Sequence, residues 1–88
     1  MCTYRTTTLQ VRGSGKGPTG WFSVSDASVY FDHPVHSADE HTLNVDVRNP
    51  EQGPAYRVAL ELDAASARAL AEAIIRTLDE LPPGLVSR

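Results

Sequence analysis

The apolar rhythm of this chain changes period once, at Asp63, and that switch limits its fold more than any other feature. Before it, apolar residues alternate: Leu43, Val45 and Val47 share one face, as do Val58, Leu60 and Leu62. A two-residue period is the mark of a half-buried strand. After it, Ala67, Leu70, Ala71, Ile74, Leu78 and Leu81 recur at steps of three and four, which makes one amphipathic helix. Asp63 is placed to cap that helix, because its carboxylate can accept orphan backbone N–H groups at the positive end of the dipole. Arg68, Glu72, Arg76 and Glu80 lie opposite the apolar stripe at i,i+4 spacing. Pro82-Pro83-Gly84 stops the helix, predicted over Ala64–Leu81.

Two more strands are predicted upstream, at Tyr4–Arg12 and Trp21–Phe31. In the second, the apolar phase runs through Phe22 and Val24 and then through Ala27, Val29 and Phe31. That one-residue slip predicts a bulge or break near Ser25-Asp26. Gly13–Gly20 holds four glycines and a proline and reads as a loop. Asp32–Thr42 reads as a polar loop, and Asn49–Pro54 as the turn of a hairpin. The fold class expected is α+β: a four-stranded antiparallel sheet in ββββα order with the C-terminal helix packed on one face. Residues 1–81 form the single domain and 82–88 a flexible tail. Tyr30, Asn44, Asp46, Arg48, Arg57 and Glu61 fall on the other sheet face, expected to be solvated or paired with a second copy.

At 88 residues the chain is too short for a Rossmann, P-loop or barrel enzyme. A domain of this size buries only about two-thirds of its unfolded surface, so self-association or a metal is a natural supplement to its thin core. A net charge of −3 with eight scattered basic residues excludes a basic nucleic-acid face. No apolar run has transmembrane length, and Met1-Cys2-Thr3-Tyr4 opens without a hydrophobic signal region. One cysteine makes no internal disulfide. The expectation is a cytoplasmic protein without nucleic-acid or membrane partners.

All three histidines fall in Asp32–His41, as His33, His36 and His41. Three imidazoles with an open position make a catalytic-type zinc site, and the same set suits iron, nickel or copper. Cys2 is a candidate fourth ligand. Glu40 and Asp32 are candidate catalytic residues, orienting an imidazole or acting as base beside a metal-bound water. The spacing is neither that of a zinc protease helix nor that of a zinc finger. Polar loops also carry histidines simply because they are wet, and Cys2 also fits a small buried hydrophobe. Gly15–Gly20 matches a dinucleotide-binding glycine pattern, but it leads into a strand and not a helix, so a hinged turn is the better reading.

The Met1-Cys2-Thr3-Tyr4 opening, the Gly13-Ser14-Gly15-Lys16-Gly17 stretch running to Gly20-Trp21, and the Asp32-His33-Pro34, His36 and Glu40-His41 segment together resemble a family of small uncharacterised bacterial proteins. The resemblance implies that cysteine, glycine stretch and histidine segment belong to one recurring plan; it implies no activity. Two functions are expected from these readings. The first is a small metal-binding protein or metalloenzyme built on the histidine segment. The alternative is a non-catalytic interaction module, a homodimer or an accessory subunit of a partner enzyme, that uses its open sheet face.

Overall fold

The computed structural model describes residues 5–85 and has four strands followed by one helix. They are β1 (Thr6–Gly17), β2 (Gly20–Asp32), β3 (Thr42–Arg48), β4 (Arg57–Leu62) and α1 (Ala64–Asp79). The sheet is antiparallel in the order β1-β2-β3-β4. The predicted ββββα architecture is the observed one. Cys2 and the end of the predicted tail lie outside the described residues.

Asp63 caps α1, with Oδ1 accepting the Ser66 N–H at 2.7 Å. That bond, from a backbone donor fixed by the helix, holds the Asp63 carboxyl below its usual range. Leu43, Val45 and Val47 pair with Leu62, Leu60 and Val58, so the alternation read from sequence becomes one apolar face. The helix lies over it at Val29, Phe31 and Leu43.

The glycine-rich stretch is a strand and not the expected loop. Gly13, Ser14, Gly15, Lys16 and Gly17 pair with Val24 through Gly20, and only Pro18-Thr19 turn. The reason is close approach. A Cβ on Gly15 would stand 3.3 Å from Val24 Cγ1 and 3.4 Å from Val58 Cγ2, and one on Gly17 would stand 3.3 Å from Phe22 Cε1. Bare backbone lets the β1–β2 hairpin curl until Phe22 meets Tyr56 edge-on at 5.7 Å. Glycine here weakens the strand locally but makes room for the ring that closes this end of the core.

The predicted irregularity near Ser25-Asp26 falls at that level of the ladder, with the extra residue on the other strand. Gln10 pairs with Asp26 and Gly13 with Val24, so Val11 and Arg12 stand against Ser25 alone. This bulge accompanies the phase slip that brings Phe22 and Val24 over Tyr56 and Val58.

Candidate functional site

The second sheet face is solvated only in part. Thr42, Asn44 and Asp46 are 0, 5 and 9% exposed, and Ser28 is buried beside them. Tertiary structure overrides the sequence reading here, because the 33–41 loop folds back across this face. The loop is held by a side chain that sequence reasoning left out of the site. Glu61, on β4, accepts the N–H of Val35 at 2.6 Å, of Ser37 at 2.8 Å and of His36 at 3.2 Å. Three successive amides pointed at one carboxylate form a nest for an anion. The Ser37 and Val35 bonds hold the Glu61 carboxyl below its ordinary range.

Under the loop lies a pocket of about 510 Å³. Its floor joins three strands through Asp46. Arg57 donates to Asp46 Oδ1 from Nε at 2.9 Å and from Nη2 at 2.8 Å, and Tyr30 donates its hydroxyl to Oδ2 at 3.4 Å. Burial, reinforced by the Asp46 charge, raises the Tyr30 pKa, so the hydroxyl keeps its proton at neutral pH. Thr42 donates to Asn44 Oδ1 at 2.7 Å. The signal for these residues was present in sequence as the polar phase of β3 and β4, but it named a face and not a pocket.

The sequence-predicted site residues divide. His33 and His41 come together, with ring centroids 4.4 Å apart and planes inclined by 30°. His41 also stacks on Phe31 at 5.9 Å. The two rings are tilted against each other and do not lie in one plane. His36 stands apart, with its backbone on Glu61 and its side chain on the pocket rim. Asp32 caps the start of the loop by accepting the His33 N–H at 2.7 Å. Glu40 contributes its backbone carbonyl, 3.0 Å from His33 Nδ1. A carbonyl only accepts, so Nδ1 carries a proton, and in the tautomer protonated there Nε2 holds the lone pair. Among the described residues, no group of three or more His, Cys, Asp or Glu side chains is placed to hold a metal ion.

The helix side is the reverse of the pocket. No residue of α1 is buried, and Leu70, Ile74, Ile75 and Leu78 are 45, 53, 59 and 58% exposed. Between helix and sheet runs an open groove of about 570 Å³, lined on the helix by Ala64, Ala67 and Ala71 and also by Ile75 and by Arg68 and Glu72, which were expected on the far side. The helix's larger side chains, expected to face the sheet as part of one stripe, look outward instead. No described helix is long and apolar enough to cross a membrane.

The sequence profile of one protein family matches residues 1–87. The chain belongs to that family, described as a family of unknown function, DUF6295. No curated protein and no solved structure matches the chain. The DUF6295 match spans the glycine strand, the histidine loop and α1. It attaches no chemistry to any of them.

Proposed function

We propose that this DUF6295 chain is a self-associating interaction module in which two copies cover each other's helix face. The observation that carries this reading is the set of apolar side chains on α1, Leu70, Ile74 and Leu78, that stay about half exposed. Size supports it. A compact monomer of 9.6 kDa exposes about 5,100 Å², whereas this chain exposes 6857 Å². The radius of gyration is 14.6 Å, against about 12 Å for a compact domain of this length. A second copy's Leu70, Ile74 and Leu78 form a ridge suited to the groove beside Ala67 and Ala71, and a two-fold axis satisfies both copies at once. The partner face is therefore the helix side, in place of the polar sheet face expected from sequence. Sedimentation equilibrium tests it: a dimer at micromolar concentration is expected, and a strict monomer at roughly 100 μM refutes it.

A second reading, a transition-metal site, keeps one observation in its favour. The His33 tautomer set by the Glu40 carbonyl leaves Nε2 available as a ligand. His36, which lines the same pocket, is a candidate companion ligand, and Cys2 stays a candidate. Elemental analysis of untagged protein tests it. Less than roughly a tenth of an equivalent of metal after zinc reconstitution removes it.

A further inference from the structure

The pocket under the histidine loop has a donor and acceptor layout that the self-association reading does not use. Asp46 spends both oxygens on holding Tyr30 and Arg57 in place. Asn44, on the pocket lining, gives its carboxamide oxygen to Thr42, so its nitrogen is the end left to donate. Arg57 is bound to Asp46 through Nε and Nη2, so its second amino group is the open one. His33, with its proton on Nδ1, offers Nε2 as an acceptor. Two donors and one acceptor therefore line a cavity that has Ala59, opposite Asp46, as an apolar part of its wall.

Charge selects the ligand class. The Arg57 charge is matched by Asp46, and the Glu61 carboxylate stands on the same rim. An anion entering the pocket meets two carboxylates against one guanidinium, with the imidazoles of His33 and His36 beside them on the lining. A cation finds both carboxylates already filled, one by Arg57 and Tyr30 and the other by three backbone amides. A neutral group with one acceptor oxygen and its own N–H donors matches what is left. We propose that this pocket binds a small uncharged ligand through a carboxamide group: its oxygen takes the Asn44 and Arg57 donors and its N–H faces His33 Nε2. Preorganised polar groups in a concave, partly apolar site are the usual mark of small-molecule recognition. The pocket lies on the sheet face opposite α1, so it stands or falls independently of dimerisation.

The test is titration of the labelled full-length chain, followed by amide NMR, with benzamide as probe and benzoate and benzylamine as charged analogues of the same shape. Benzamide is expected to move the Val35, His36, Ser37 and Asn44 resonances saturably, with each charged analogue at least about tenfold weaker. Asn44→Asp replaces the donor by an acceptor and is expected to weaken benzamide about tenfold. Should that variant fail to give a folded spectrum, Arg57→Lys, at a half-exposed position, keeps the charge facing Asp46, removes the open amino group and is expected to weaken binding severalfold. No shift at roughly 10 mM benzamide, equal response to benzoate, or undiminished binding by the folded variants overturns the proposal.

Discussion

Replacing Ile74 by Glu separates the proposed assembly from the fold of the single chain. Ile74 is 53% exposed and belongs to a helix with no buried residue, so within one copy it has little packing to lose. A surface change of that kind shifts stability by about 0.5 kcal/mol or less. In the dimer the same side chain would bury its remaining half, worth about 1 kcal/mol. A glutamate there forfeits that gain and leaves a carboxylate without partners, a further cost of about 1–3 kcal/mol. Both copies carry the change, so association weakens by about 4–8 kcal/mol, a thousandfold or more in the dissociation constant. Sedimentation velocity over a range of concentrations, with circular dichroism on the same samples, reads both halves. The expected result is a dimeric parent and a monomeric I74E variant that keeps its sheet signal. An I74E variant that associates as tightly as the parent would falsify the assignment of α1 as the contact surface.

Three other outcomes follow from the packing and the loop. Glu61 has its carboxyl pulled below the usual range by the Ser37 and Val35 amides, so its contribution is fully present above that range and is lost as pH falls through it. Hydrogen exchange should show Val35, His36 and Ser37 opening on acidification, and Glu61→Gln opening them at neutral pH; unchanged protection in that variant would sink the lock. Gly15→Val adds methyl groups where a Cβ already meets Val24 at 3.3 Å and Val58 at 3.4 Å. It is expected to destabilise by about 1–3 kcal/mol in urea unfolding, and a neutral result would mean that the hairpin does not curl against β4. Asp46→Ala removes the acceptor shared by Tyr30 and Arg57, with an expected loss of about 1–3 kcal/mol by the same assay; no loss would show that the three-strand network is not a stabilising one.

How much of the site was legible depended on the range of the forces involved. His33 and His41 do lie together, and His41 also stacks on Phe31, a residue of β2 that the histidine spacing did not point to. Asp32 and Glu40 were singled out for their carboxylates; Asp32 serves as a loop cap, and Glu40 contributes its backbone carbonyl. Glu61, 25 residues from His36, carries the loop's position, and no local pattern pointed to it. The glycine stretch shows the same gap. Read locally, four glycines and a proline favour a loop, and only the approach of Phe22 and Val58 makes their missing side chains a condition for pairing.

Sequence alone was enough for the order of elements, the hairpin between β3 and β4, the Asp63 cap and the end of α1. Those outcomes rest on periodicity and on hydrogen bonds that span a few residues, which a chain carries wherever it folds. Tertiary structure decided which face is covered. Alternation assigns side chains to two faces but not a neighbour to each, and here a loop tied by Glu61 shields the polar face while α1 presents its larger apolar residues outward. Burial is a property of what arrives from far along the chain, or from another chain, and no local rhythm encodes it.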